Sequence, residues 1–247
     1  MYFDRIARRL TRQSPADLAK TAVIGRAQAG DDEVSLSYGE LDRAARVVAA
    51  WLSERCAPGE RVLLLSPLGP EVVKNFFGCL YAGVVPVVAP VPEGRDHHLA
   101  RATGIAFDAG ATLVLTDASS LSAVHEWLSQ DGMDDVTCVA TDVIELADPD
   151  DWVEPARDPD DLAVLCYGSA RVELVGTLIS YAALGHGVRR TRDALGLTAD
   201  DRLLSWLPPD HYTGLMNLVT VLAIGGTAVL MPPREFARDP LAWLDLV

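Results

Sequence analysis

Short apolar segments alternate with amphipathic helical segments along most of this chain, and that alternation limits the possible folds more than any other feature. Ser37 and Glu40 form a capping box at the start of a segment whose apolar residues recur with helical spacing. The apolar run from Arg61 to Ser66 is typical of a buried strand. Pro70 then begins a second helix, which Gly83 is predicted to end.

The same pattern continues as far as residue 140. Strands are predicted at Val84 to Ala89, Thr112 to Thr116 and Val136 to Ala140, with helices at His98 to Ala109 and Leu121 to Leu128. Strands that are joined by helices usually pair in parallel. The sequence therefore predicts an α/β fold with a doubly wound, mostly parallel sheet flanked by helices.

An acidic stretch divides this pattern. The residues from 148 to 161 include seven Asp and Glu together with prolines, and they are predicted to form a surface linker. The expected organisation is a first α/β portion at 1–147, the linker at 148–161 and a second, truncated α/β portion at 162–247. In the second portion the predicted strands are Leu162 to Tyr167, Thr177 to Ser180, Arg202 to Trp206 and Thr227 to Met231, and the predicted helices are Ala182 to Leu195 and Thr213 to Ile224.

The composition excludes some classes of partner. A net charge of −14 argues against binding to nucleic acid and to anionic membranes. The chain has no predicted signal peptide or membrane span, so a cytoplasmic location is expected. Four scattered cysteines are expected to be buried free thiols: Cys56, Cys79, Cys138 and Cys166. His97 and His98 are interpreted as a solvated helix start rather than as a metal pair, because adjacent helical residues should point apart.

Three segments resemble fatty-acyl-AMP ligases, a branch of the adenylate-forming enzymes. They are Leu36-Ser37-Tyr38-Gly39-Glu40-Leu41, the run Phe76-Phe77-Gly78-Cys79-Leu80-Tyr81-Ala82-Gly83-Val84-Val85-Pro86-Val87, and Trp206-Leu207-Pro208-Pro209-Asp210-His211-Tyr212-Thr213-Gly214-Leu215. The second is similar to the Phe-Gly-Cys-Leu-Tyr-Ala-Gly run of that branch, and the third resembles Trp-Leu-Pro-x-Tyr-His-Asp-Met-Gly-Leu. The order and spacing of the segments make a chance similarity improbable.

This resemblance implies the first part of the large N-terminal domain of such ligases. It also implies their chemistry, in which a carboxylate attacks ATP with Mg²⁺ present and the acyl group then passes to a carrier-protein thiol. His211 matches a histidine near the acyl pocket, so Trp206, His211 and Gly214 are candidate pocket residues. A loop role for His211 and a core role for Trp206 remain open.

The family's phosphate loop reads Tyr-Thr-Ser-Gly-Ser-Thr-Gly-x-Pro-Lys-Gly, in which amide groups, hydroxyls and the lysine contact phosphates. The corresponding stretch here is one residue shorter. It contains these candidate residues of a degenerate loop: Tyr167, Gly168, Ser169, Arg171, Glu173, Val175 and Gly176. Val175 replaces the lysine. A Glu173 carboxylate roughly 4 Å from a phosphate would repel it by about 4 kcal/mol at an effective dielectric constant of about 20.

The leading hypothesis is therefore a truncated, catalytically inactive ligase-like domain that acts as an interaction or scaffolding element in lipid or polyketide and nonribosomal peptide biosynthesis. It requires no cofactor and no metal. One alternative is the N-terminal fragment of an active ligase that uses ATP and Mg²⁺, and another is an acyl-binding module without chemistry. Whether this chain is an enzyme stays open. A homodimer or a protein partner, such as an acyl carrier protein or a synthase, is expected to cover the face left by truncation.

Overall fold

The computed structural model describes residues 14–26, 33–93, 96–130, 132–143, 147–168 and 174–246. Its helices are α1 (Pro15–Ala19), α2 (Tyr38–Ser53), α3 (Pro70–Ala82), α4 (Asp96–Ala109), α5 (Leu121–Leu128), α6 (Tyr181–Leu195), α7 (Tyr212–Ile224) and α8 (Pro233–Arg238), with 3₁₀ turns at Pro149–Asp151 and Ala242–Leu246. Its strands are β1 (Thr21–Arg26), β2 (Glu33–Ser37), β3 (Arg61–Leu65), β4 (Val85–Val88), β5 (Leu113–Thr116), β6 (Thr137–Ala140), β7 (Leu162–Tyr167), β8 (Gly176–Ser180), β9 (Arg202–Ser205) and β10 (Thr227–Leu230).

One four-stranded sheet combines strands from both ends of the chain, in the order β2-β1-β10-β9. β1 runs parallel to β10, with Val23 opposite Ala228 and Ile24 opposite Val229, while β2 is antiparallel to β1. The sequence pattern did not predict β1 or β2. Both strands depend on pairing with distant parts of the chain, which a local pattern does not contain.

The second sheet has the order β4-β3-β5-β6, and all of its pairs are parallel. β7 and β8 form a separate antiparallel hairpin. β4 lies on one side of β3, and β5 and β6 lie on the other, so the direction of winding reverses after β4, as in a doubly wound sheet. The prediction of an α/β fold with mostly parallel pairing is confirmed. The strands, however, are divided between two sheets and a hairpin rather than gathered in one sheet.

The second sheet is apolar on both faces, as parallel sheets usually are. Val62 and Leu64 of β3 belong to a core cluster that also contains residues of the first sheet and of α2, α3, α6 and α7. Leu63 and Leu65 belong to a second cluster with residues of α4 and α5. The period of two in β3 therefore assigns alternate residues to different cores.

The helices α2 and α3 cross closely at a glycine. A Cβ atom at Gly78 would lie 2.5 Å from side-chain atoms of Val48, so only glycine fits there without a shift. The predicted capping box at the start of α2 is confirmed, because Ser37 and Glu40 each accept a hydrogen bond from the other's backbone N–H, at 3.2 and 2.7 Å respectively. Gly83 ends α3 with a φ of 73°, in the left-handed region.

The acidic stretch at 148–161 is anchored to the end of α3. Its acidic residues are exposed, but the Trp152 indole stacks on the Tyr81 ring with centroids 5.0 Å apart. The Tyr81 carbonyl accepts hydrogen bonds from Trp152 at 3.2 Å and from Arg157 at 2.5 Å. The Tyr81 hydroxyl donates to Asp42 of α2 at 2.9 Å. Two donors thus satisfy a terminal carbonyl of α3 and fix this stretch on the helices.

The four cysteines are free, but only Cys79 is fully buried, whereas the other three are half-buried, so the expectation of burial is wrong for them. Burial raises the pKa of the Cys56 and Cys138 thiols to about 11 and that of Cys166 to about 12, and it raises the pKa of Cys79 further still. These thiols are therefore protonated at neutral pH. None of the helices in the described ranges is long and apolar enough to cross a bilayer. The described chain ends in the 3₁₀ turn at Ala242–Leu246.

Candidate functional site

The two rims of the predicted phosphate loop lie side by side. β7 ends at Tyr167 and β8 begins at Gly176, and these two residues are partners in the antiparallel hairpin. Three of the predicted loop residues, Ser169, Arg171 and Glu173, lie outside the described residues. The described parts of the loop are its two rims: the first rim is Tyr167 to Gly168, and the second rim is Leu174 to Gly176.

An arginine of α4 binds the first rim. The Arg101 guanidinium donates through Nη1 to the Gly168 carbonyl at 3.0 Å and through Nη2 to the Tyr167 carbonyl at 3.2 Å. A planar guanidinium matches two neighbouring acceptors in this way because its N–H groups form a rigid fork. Two of its donors are thereby committed to backbone carbonyls.

A second residue of α4 binds the same rim. The Tyr167 hydroxyl donates to Oδ2 of Asp108 at 2.7 Å. Burial, together with this hydrogen bond to a carboxylate, raises the pKa of Tyr167 well above its usual range. The phenol is therefore a neutral donor at physiological pH, and its aromatic ring is almost completely buried.

The other rim packs against α4 and against the hairpin itself. A Cβ atom at Gly104 of α4 would lie 3.3 Å from Leu174. A Cβ atom at Gly176 would lie 3.0 Å from Leu165 and 3.2 Å from the Tyr167 ring, so glycine is favoured there by close packing. Val175 lies between Leu174 and Gly176 in the sequence, and its side chain is 59% exposed. The phosphate loop of the fatty-acyl-AMP ligases has a lysine at this position, whereas this chain has the aliphatic side chain of Val175 in solvent.

The contacting residues of α4 were not predicted as site residues. Arg101, Gly104 and Asp108 follow the spacing i, i+3 and i+7, which places them on one face of the helix. That spacing is the one local signal that could have indicated a shared face. These residues contact the β7–β8 hairpin, which lies far along the chain from α4. The local sequence pattern therefore contains no signal that connects α4 with the hairpin.

The candidate acyl-pocket segment begins with a stacked aromatic pair. The Trp206 ring lies parallel to that of Phe236 of α8, with centroids 4.1 Å apart and an interplanar angle of 3°. Trp243 lies near the same ring, at a centroid distance of 6.4 Å. Trp206 is half-buried, and the two partners were not predicted. A flat aromatic wall of this kind suits contact with an apolar group.

His211 lies at the N-cap of α7. Its backbone N–H donates to Pro208 at 3.2 Å, and its carbonyl accepts from Leu215 at 3.0 Å. Its side chain is half-buried and makes no cap hydrogen bond. The backbone of His211 thus shapes the turn into α7, while its imidazole is left at the turn surface.

Gly214 is required by a very close backbone approach. A Cβ atom there would lie 2.3 Å from the Pro208 carbonyl oxygen and 2.9 Å from that of Leu207. Real side chains do not tolerate such distances, so the first turn of α7 packs on this carbonyl pair only with glycine. The structure therefore gives Gly214 a definite packing role next to Trp206 and His211.

The two candidate segments belong to different parts of the fold, since β7 lies in the hairpin and β9 in the first sheet. Within the ranges described, no group of three or more His, Cys, Asp or Glu is placed to hold a metal ion. The rings of His97 and His98 lie in edge contact with centroids 4.4 Å apart, so the expectation that they point apart is wrong. Both lie on the first turn of α4, where neighbouring rings can turn towards each other.

Residues 10–247 match the family described as AMP-binding enzyme. The chain is 36% identical over 227 residues to the medium-chain-fatty-acid–[acyl-carrier-protein] ligase JamA of Moorena producens, covering 89% of this chain and 38% of that protein. It is 31% identical to the long-chain-fatty-acid–AMP ligase FadD32 of Mycolicibacterium smegmatis, covering 85% of this chain and 34% of the relative. The chain thus spans little more than a third of these relatives' length.

Solved structures show the same fold. The crystal structure of a fatty acid AMP ligase from Legionella pneumophila superimposes with a TM-score of 0.87 at 27% identity, covering 99% of this chain and 42% of that one. An adenylation domain of a keto acid-selecting NRPS module, bound to a keto acyl adenylate, superimposes with a TM-score of 0.83 at 22% identity. The second likeness shows the fold alone.

Proposed function

The chain belongs to the AMP-binding enzyme family, and from its loop residues we propose that it has lost the ATP-binding function of its own phosphate loop. It then serves as an interaction or scaffolding element in lipid or polyketide and nonribosomal peptide biosynthesis. Its likeness to fatty-acid ligases supports the biosynthetic setting. The proposed loss of ATP binding is argued from the residues of this chain's own loop, between Tyr167 and Gly176.

The observation that carries the proposal is Val175. It occupies the position where the family's loop has a lysine, and its aliphatic side chain is 59% exposed beside Gly176. An ammonium group at this point would attract phosphate, whereas a valine contributes no charge and no hydrogen-bond donor. The Arg101 fork is directed at backbone carbonyls of the opposite rim. The absence of a lysine at Val175 and the use of two Arg101 donors by backbone carbonyls support the proposal that these rims hold neither the triphosphate of ATP nor its Mg²⁺ ion.

A second function, that of an active ligase fragment, is favoured by the segment from Trp206 to Leu215. Gly214 matches the glycine of that motif and packs closely on the Leu207 and Pro208 carbonyls, and the His211 N–H bonds to Pro208 in the same turn. Under this alternative, the chain supplies part of an ATP- and Mg²⁺-dependent ligase that passes an acyl group to an acyl carrier protein. The acyl-binding module without chemistry would use the same segment, with Trp206 and Phe236 as an apolar wall.

The structure also offers surfaces on which a partner could dock. β9 ends the first sheet on one side, and β8 forms one side of the hairpin. Exposed apolar side chains lie on β8 and near the last turn: Leu178 is 65% exposed, Leu241 69% and Leu244 54%. Edge strands and exposed apolar groups are typical of protein contacts. We therefore propose a second copy, a carrier protein or a synthase as the partner, with no nucleic acid and no membrane involved.

Pyrophosphate exchange tests the proposal. The natural polypeptide is incubated with Mg²⁺, ATP, labelled pyrophosphate and a panel of medium- and long-chain fatty acids. The proposal predicts exchange no greater than that of the same polypeptide boiled beforehand. Exchange that depends on both ATP and a fatty acid would sink it and favour the ligase alternative. Saturable binding of a fatty acid without exchange would favour the acyl-binding module.

The partner is tested separately by size-exclusion chromatography with light scattering. A mass of twice the chain mass, or a complex with an added acyl carrier protein, is expected at micromolar concentration. A clean monomer that binds no carrier protein would contradict the proposed contact.

A further inference from the structure

We propose that Arg101 is the positioning residue of the β7–β8 hairpin, so that the helix α4, and not a bound nucleotide, fixes the rims of the loop. The proposal concerns a residue that no sequence motif singled out. It rests on the proposed function only in its statement that a nucleotide is not needed.

The first step is that α4 is a rigid platform. Its buried face contributes Ala102, Ile105, Ala106 and Ala109 to the second core cluster. The Trp127 indole of α5 donates to the Thr103 hydroxyl at 2.8 Å, and the Arg61 guanidinium donates to the Ala109 carbonyl at 2.8 Å. The second core cluster also contains Leu165 and Tyr167 of the hairpin, but the hydrogen bonds at Thr103 and Ala109 hold α4 without any hairpin residue.

The second step is that the platform contacts both rims. Arg101 binds the Tyr167 and Gly168 carbonyls, and Asp108 accepts from the Tyr167 hydroxyl. Between them along the helix, Gly104 receives Leu174 of the other rim. One face of α4 therefore holds the end of β7 and the approach to β8 at the same time.

The third step is that an arginine, and not a lysine, can bond both carbonyls of the first rim at once. Gly168 is the first residue after β7, so its carbonyl lies beyond the hairpin ladder. A fork that bonds this carbonyl and the preceding one fixes the direction in which the chain leaves the strand. A lysine ammonium could reach one carbonyl but not bond both in a fixed plane.

Hydrogen exchange measured by mass spectrometry tests the proposal on the full chain. In Arg101→Met, the amides of the hairpin between Leu162 and Ser180 should exchange about tenfold faster, because two charge-assisted hydrogen bonds are lost. Arg101→Lys should restore part of this protection. The matched control is Arg43→Met, which removes an exposed arginine of α2 and should leave the hairpin unchanged.

The outcomes separate this proposal from the proposed function. Equal hairpin exchange in the natural chain and in Arg101→Met, at equal midpoint temperatures of unfolding, would overturn the positioning role. Faster exchange spread over the first sheet as well would also overturn it, since Arg101 would then support the whole fold. If Arg101→Met loosens the hairpin but MgATP protects it in the natural chain, the positioning role stands and the loss of ATP binding is contradicted.

Discussion

The segments 167–176 and 206–215 resemble motifs of one family, but they are held in place by different means. In the first, side chains of α4 bind the rims, and the chain departs from the family's residues at Val175. In the second, the backbone approach at Gly214 leaves no room for any other residue. A site held by neighbouring side chains can lose its chemistry without losing its shape. In a site held by backbone packing, replacing the glycine forces the neighbouring backbone to shift.

The largest effect is expected from Gly214→Ala. Its new methyl group would lie 2.3 Å from the Pro208 carbonyl oxygen, so the first turn of α7 must shift. We expect a loss of about 3 kcal/mol in the free energy of unfolding, measured by urea denaturation. The matched control is Gly168→Ala in the other segment, which meets no atom within 4 Å and should change stability by less than about 0.5 kcal/mol. Equal costs at the two glycines would remove the contrast.

Phe236→Ala should have the next largest effect. It removes the ring that stacks on Trp206, and we expect a loss of about 2 kcal/mol, less than a fully buried phenylalanine would cost. The fluorescence of the chain should shift to longer wavelength as Trp206 becomes more exposed to water. Phe107→Ala, at a 58% exposed ring, is the control and should leave the emission unchanged. An unchanged spectrum for Phe236→Ala would show that the stack does not shield Trp206.

Tyr167→Phe tests the α4 contact at the first segment. Loss of the hydrogen bond to Asp108 should cost about 1 kcal/mol at pH 7. Because the pKa of Tyr167 is raised in the folded state, its contribution is fully present below the pKa of an unfolded tyrosine, about 10, and is lost as pH rises above it. The natural chain should therefore lose more stability than Tyr167→Phe between about pH 9 and pH 11. Parallel pH profiles would contradict this prediction.

Val175→Lys should have the smallest effect. The position is exposed, so stability should change by less than about 0.5 kcal/mol. A single lysine should not restore ATP binding, because the loop remains one residue shorter than the family's and retains Glu173. Calorimetric titration with MgATP checks both statements when it is combined with a melting curve. Strong ATP binding by this single variant would show that the lysine alone had been missing.

Local chemistry allowed much of the fold to be predicted from the sequence. The capping box at Ser37, the glycine end of α3 at Gly83 and the continuous apolar run of β3 each depend on neighbouring residues, and the structure contains all three. β1 was missed because it is stabilised by β10, at the other end of the sequence. The short helix α8 was missed because six residues give too little periodicity to recognise.

The candidate site was less predictable. The resemblance located both segments, but it gave no indication of Arg101 or Phe236, since each contacts its segment across a long stretch of chain. The acidic stretch at 148–161 shows the same limit. Its charge predicted a surface location, whereas its attachment through Trp152 and Arg157 to Tyr81 is a tertiary contact.

The central claim is that the segment from Tyr167 to Gly176 no longer binds ATP, and a calorimetric titration of the natural polypeptide with MgATP tests it most directly. Repulsion of about 4 kcal/mol between the Glu173 carboxylate and a phosphate of ATP corresponds to about a thousandfold loss of affinity. The account therefore predicts a dissociation constant for MgATP weaker than about 1 mM. A variant in which 167–176 is replaced by the family's loop should bind more tightly than the natural chain. Micromolar binding of MgATP by the natural chain would contradict the account.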